Sequence, residues 1–122
     1  MTLILVAELF KVTSIALFVN RSRSSVAPRD LIAVLRSSGA TCAARDSHGR
    51  ERLRRAIRFV DRCFPSGPNC YRRVLLEIAL DSGAASEPLH FGLQFRGEPK
   101  SGHIWLASQT TGAQRYDAEF VA

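Results

Sequence analysis

The side chains best suited to covalent chemistry in this 122-residue chain are its three cysteines and three histidines. An ordinary thiol, with a pKa of about 8.5, is only a few per cent thiolate at neutral pH. A helix N-terminus or a neighbouring imidazolium raises that fraction. Cys70 meets the first condition, because Asn69 is a good N-cap residue and a helical pattern begins at Cys70. The unpaired N–H groups of such a first turn favour S⁻, and they can also hold the oxyanion of a tetrahedral intermediate. Cys63 falls inside the preceding amphipathic segment, where packing is its expected role, and Cys42 lies in a linker. His48 stands in that linker beside Gly49 and is expected at the surface, while His90 falls on the polar face of a strand. His103 opens the next strand directly after Gly102, with Trp105 two residues on and on the same face. Asp117 is 14 residues after His103, a separation one hairpin can close, so it can orient the imidazole. Cys70, His103 and Asp117 form a candidate nucleophile, base and orienter.

Other chemistries find less support. Cys63 and Cys70 are seven apart, and neither C-x-x-C nor H-E-x-x-H occurs, so no metal site is expected. The glycine-rich phosphate loops are absent as well. The net charge is +6, yet residues 1–60 hold 11 basic and 4 acidic side chains while residues 61–122 hold 6 and 7. The arginines lack interleaved aromatics, which argues against single-stranded nucleic acid as a partner. A peripheral nucleic-acid binder is testable by salt-dependent retention on DNA. Three cysteines at irregular spacing do not make a disulfide framework, and the cytoplasm is the expected compartment. A composition 46% hydrophobic and 23% charged suits one globular domain.

The elements that must position these residues follow from periodicity. Thr2 to Val19 is apolar, but Glu8 and Lys11 interrupt it, which argues against a membrane span. No basic residue precedes the run, which argues against a secretory signal. Glu8 and Lys11, three apart, are expected on one face of an amphipathic helix docked on the domain or a partner, with peripheral membrane contact a lesser alternative. Arg29 to Ser38 predicts a short helix stopped by Gly39, and residues 40–50 read as a linker. Arg50 to Phe64 is helical, with Leu53, Ile57, Val60 and Phe64 on one face. Arg50, Arg54, Arg58 and Arg62 form another face, read as solvated or as a docking surface for an acidic partner. Cys70 to Ser82 predicts a buried helix with a narrow polar stripe of Arg73, Glu77 and Asp81, ending at Gly83. The period then changes to two: Leu89, Phe91, Leu93 and Phe95 alternate with polar residues in a first strand. His103 to Ser108 gives a second strand and residues 113–117 a third. Helices followed by an antiparallel meander make the fold class α+β.

The order of cysteine on a helix, histidine on a strand and aspartate on the next resembles the transglutaminase-like cysteine superfamily. More narrowly, residues 50–117 resemble the lasso-peptide leader peptidases. Cys70-Tyr71-Arg72-Arg73-Val74-Leu75 is similar to that family's C-x-x-R-[AVS]-L helix, Phe91-Gly92 to its apolar–glycine strand, and His103-Ile104-Trp105 to its His-Ala-Trp motif. The pattern departs at Ile104, where a small residue is usual, and after Trp105, where an acidic residue is missing. Arg72 and Arg73 are cations in a first helical turn, which the helix dipole disfavours; the arginine at Arg73 belongs to the resembling pattern.

The resemblance implies a transglutaminase-like (papain-like) core over residues 50–122, preceded by an N-terminal helical docking region over residues 1–49. It implies a cysteine protease that removes the leader from a ribosomally synthesised precursor peptide, with Cys70, His103 and Asp117 catalytic and neither metal nor organic cofactor. Trp105, Arg73, Arg54 and Arg58 are the candidate substrate- or partner-binding residues. The implied partners are the precursor peptide, a separate leader-recognition protein and an ATP-dependent lasso cyclase. An acyl transferase with the same triad and a non-catalytic peptide-binding module of the same fold are the alternatives.

Overall fold

The structure, a computed structural model, describes residues 2–94, 96, 101–108 and 118–122. The chain divides into two compact units, Met1–Ser86 and Glu87–Ala122. The first is helical and the second is a small antiparallel sheet, so the fold is α+β. Residue 49, where the resemblance implies that the core begins, lies inside the helical unit, in which α1 (Thr2–Ser22) packs on α3 (Ser47–Arg62) and on α4 (Cys70–Leu80). Among the described residues, no helix is long and apolar enough to cross a membrane.

Helix α4 is the axis of the helical unit. Every residue from Val74 to Leu80 is buried, and α1, α2 (Pro28–Ala40), α3 and α5 (Ser82–Ala85) all pack on it. Burying each of its large aliphatic side chains is worth roughly 1.5–3 kcal/mol. The surrounding helices present stripes with helical spacing: Val12, Ala16 and Val19 on α1; Leu31, Ile32 and Leu35 on α2; Leu53, Ala56, Ile57 and Val60 on α3.

Several boundaries differ from the expected ones, each for a local reason. α2 does not stop at Gly39 but runs through it, because the glycine allows the backbones of α2 and α4 to touch. A Cβ at that position would sit 1.8 Å from the Ile78 carbonyl oxygen. α3 starts inside the expected linker, since the Asp46 carboxylate accepts the Gly49 N–H at 2.7 Å and caps it. It ends at Arg62, so Cys63 is an exposed C-cap residue rather than an internal packing residue. α4 ends at Leu80, before Gly83: its cap residue Asp81 is extended, and the Asp81 carboxylate accepts the Gly83 N–H to start α5. Glu8 and Lys11 lie three apart on α1 as expected, but Glu8 is buried while Lys11 is exposed. Glu8 turns inward toward Arg45, whose Nη1 lies 2.7 Å from Glu8 Oε1 but off the hydrogen-bond direction.

Charge sets the register between α3 and α4. Arg50 and Arg54 face the polar stripe of α4, where Glu77, 2% exposed, accepts from both guanidinium groups at 2.9–3.2 Å. Arg50 Nε also lies 3.2 Å from Asp81 Oδ2, paired by charge but not aligned as a hydrogen bond. In the last turn of α3 the signs reverse, and Asp61 faces Arg72 and Arg73. The arginine stripe is therefore neither one solvated face nor one docking face. Arg50 and Arg54 are internal ion-pair partners, whereas Arg58 is exposed and pairs with Glu51 at 3.2 Å. The Glu51 carboxyl titrates below its usual range, chiefly because it accepts a hydrogen bond from Arg58.

In the second unit, β1 (Leu89–Gln94) is central, with β2 (Ser101–Leu106) and β3 (Ala118–Val121) paired antiparallel on its two sides. This is not the expected meander, because β3 returns to pair with β1 rather than with β2. β2 starts at Ser101, so His103 is its third residue instead of its first, and β3 lies beyond the expected 113–117. Leu89, Ile104 and Leu106 are buried on one face. His90, Gly92, His103, Trp105 and Glu119 share the other by strand alternation and register.

Candidate functional site

The candidate nucleophile is set by the first turn of α4. Cys70 is its first residue and is partly exposed. The Asn69 side chain accepts the Arg72 N–H at 3.1 Å, and the Asn69 carbonyl accepts the Arg73 N–H at 3.1 Å. Asn69 thus occupies two first-turn donors, leaving the N–H groups of Cys70 and Tyr71 as the donors it does not use.

Asp61, fully buried in the last turn of α3, anchors this turn. Its Oδ2 accepts the Asn69 N–H at 2.9 Å, and its Oδ1 accepts Arg72 Nε at 2.7 Å. Arg72, also fully buried, continues from Nη2 to the carbonyls of Gly67 at 2.9 Å and Asp61 at 3.2 Å. Its Nη1 reaches Asn20 Oδ1 at 3.4 Å, and its guanidinium lies 4.0 Å from the Phe64 ring centroid. The Phe64–Asn69 turn, with Gly67 at φ 83°, is therefore tied at both ends. This resolves the puzzle of a cation in the first turn of a helix. The dipole penalty is a fraction of a kcal/mol to about 1 kcal/mol, whereas breaking a buried ion pair costs about 3–5 kcal/mol. The ion pair wins.

Arg73 is 40% exposed and 3.5 Å from Asp61 Oδ2. Of the other candidate binding arginines, Arg54 is held by Glu77 inside the helical unit and Arg58 is on the surface. Tyr71, next to the thiol, titrates above its ordinary value because it is partly buried, opposed by the Arg23 charge. Cys42 is partly buried, with its Sγ 3.7 Å from the Ala79 carbonyl, a structural placement.

The candidate histidine lies on the sheet. His103 stacks on Trp105, with ring centroids 5.7 Å apart and planes 20° apart. Trp105 stacks in turn on His90, its cross-strand partner, at 5.5 Å and 11°. The indole is thus shared by two imidazoles, and His90 is a neighbour that spacing along the chain gave no reason to join to His103. Its signal was the strand register. Asp117 lies outside the described residues. Among the described carboxylates, Glu119 is the one in register with His103, because both are paired to Gly92 from opposite sides.

Cys70 belongs to the helical unit, and His103, Trp105, His90 and Glu119 belong to the sheet unit. Among the described residues, no group of three or more His, Cys, Asp or Glu side chains is arranged to hold a metal ion. Comparisons of the chain with protein-family models, curated proteins and solved structures found no match.

Proposed function

We propose that the chain is a transglutaminase-like cysteine peptidase that cleaves the leader from a ribosomally synthesised precursor peptide during lasso-peptide maturation. The observation that carries this reading is the Cys70 thiol, partly exposed at the first position of a helix whose opening turn is locked by Asn69, Asp61 and Arg72. In the reaction, Cys70 Sγ attacks the scissile carbonyl, forming a C–S bond as the carbonyl becomes an oxyanion. The N–H groups of Cys70 and Tyr71 stabilise that oxyanion. His103 takes the thiol proton and returns it to the leaving amine, and water then releases the acyl group from sulfur. The mechanism requires Sγ and the imidazole to come within hydrogen-bond reach. Stacking on Trp105 limits the rotation of the His103 ring, and a carboxylate fixes its tautomer. The resemblance gives that last role to Asp117, and the strand register offers Glu119.

The partners under this reading are a leader-recognition protein that delivers the precursor and an ATP-dependent cyclase that closes the ring, with the cytoplasm as the compartment. The test is to incubate the chain with its candidate recognition protein and precursor and weigh the products. Hydrolysis yields two fragments whose masses sum to the precursor plus one water, whereas acyl transfer leaves an added amine on one fragment. Processing that survives Cys70→Ala would overturn the assignment.

A further inference from the structure

The helical unit carries an apolar groove of about 370 Å³ between α1 and the end of α3, lined by Leu9, Thr13 and Leu17 on one side and by Phe59, Cys63 and Phe64 on the other. Two large side chains of its lining stand exposed, Phe59 at 55% and Leu17 at 51%, and α1 exposes Val6 and Phe10 as well. A contiguous apolar surface of this kind on a folded unit marks a contact site. The lining itself carries no charged residue, and the exposed face of α3 beside Phe59 has a definite sign. Arg52, Arg55 and Arg62 lie seven before, four before and three after Phe59, which puts them on the Phe59 side of α3. All three are exposed. Arg55 makes one loose pair, 3.5 Å from Glu51 with both side chains largely accessible. These are not the arginines turned toward α4, since Arg50 and Arg54 point to the opposite side of the same helix.

We propose that this groove docks an amphipathic helical segment of a partner protein, with an apolar ridge flanked by aspartate or glutamate. Leu9 to Leu17 spans roughly 12 Å along α1, enough for two turns of a docked helix presenting anchors at i, i+4 and i+7. The arginine-bearing face selects an acidic flank and steers its approach. It also argues against a second copy of this chain as occupant, because a two-fold contact would bring the same arginines face to face. The groove is concave, which suits an inserted ridge of side chains better than a flat lipid surface. The proposal is independent of the chemistry at Cys70.

The probe is a 16-residue designed helix with leucines at i, i+3, i+4 and i+7 spacing and glutamates on both flanks. Its binding to the full chain is measured by fluorescence anisotropy, with a lysine-flanked peptide of the same leucine pattern as control. The acidic helix is expected to bind, to weaken as salt rises, and to outbind the basic helix by at least about tenfold. Phe59→Ser is expected to weaken it by about tenfold or more. The triple variant Arg52→Glu, Arg55→Glu, Arg62→Glu is expected to reverse the preference between the two peptides, and the corresponding lysine triple to preserve it. All these positions are exposed, and circular dichroism verifies that the variants stay folded. Equal binding of both peptides, or no binding of the acidic one, overturns the proposal. So does co-sedimentation with phosphatidylglycerol vesicles that is lost in Phe59→Ser while the acidic helix does not bind.

Discussion

His103 and Glu119 stand in one row of the sheet on either side of Gly92, on the same face and two strand spacings apart, roughly 9–10 Å between Cα atoms. The residue between them has no side chain, so an imidazole and a carboxylate can extend toward each other over bare backbone. Glu119 is exposed and His103 half-buried, so reach across the row would have to come from the longer glutamate side chain. Replacing Glu119 with Gln is expected to slow leader cleavage by at least about tenfold, since an orienting carboxylate acts through the imidazole tautomer. It is also expected to change the balance of His103 Nδ1–H and Nε2–H forms seen in ring ¹⁵N shifts. Asp117→Asn, measured beside it, decides between the carboxylates: if only that variant slows cleavage, the orienting role passes to Asp117.

The Asp61–Arg72 pair makes a stability prediction with its own control. Both residues are fully buried, so Asp61→Ala leaves a guanidinium without its carboxylate and frees the Asn69 N–H. Urea denaturation is expected to show a loss of about 3–5 kcal/mol. Arg73→Ala removes a cation that is 40% exposed and 3.5 Å from the same carboxylate, and about 1 kcal/mol or less is expected. Similar losses from the two changes would show that Asp61 does not act through Arg72.

The contrast between these two arginines shows what the sequence makes legible. Periodicity located α4, its Asn69 cap and the alternation of β1, because those features are written in residues next to one another. The polar stripe of Arg73, Glu77 and Asp81 was visible too, but what it met was not. Glu77 finds Arg50 and Arg54 across 27 and 23 residues, a pairing that depends on how α3 and α4 cross. Asp61 carried one weak signal, a lone acid beside Val60 at the edge of an apolar stripe. The order of strands was hidden for a similar reason. Chain order favours β3 beside β2, yet the register pairs it with β1, and that placement brings Glu119 rather than a hairpin neighbour into the His103 row. The glycine at position 39 misled locally, since a stop signal and a close-approach site use the same residue.

Gly39→Ala tests that last point. The added methyl would lie 1.8 Å from the Ile78 carbonyl oxygen and 3.0 Å from the Ala85 Cβ, and neither neighbour is a flexible side-chain end. In an ordinary helix interior the same change stabilises by up to about 1 kcal/mol. Here α2 must move off α4, and a net destabilisation of about 1–3 kcal/mol or more is expected, seen as a fall in Tm. A rise in Tm would mean that position 39 only breaks the helical pattern, as its sequence suggested.

Tyr71 gives the helical unit a dependence on alkaline pH. Burial raises its pKa above the usual 10.0, so between the unfolded and folded values the native state holds a phenolic proton that the unfolded chain has lost. Stability from this group is complete below pH 10 and is lost as pH rises through the raised pKa. The Arg23 charge works the other way and limits the shift. Chemical denaturation across pH 9–12 is expected to show a steeper decline for the native chain than for Tyr71→Phe. Ultraviolet titration is expected to lose its later-ionising phase in the same variant. Because the Tyr71 N–H stands beside that of Cys70 at the start of α4, Tyr71→Phe keeps both backbone donors while removing the phenol. Cleavage near neutral pH should therefore be unchanged, and a loss of activity there would give the hydroxyl a part in substrate binding instead.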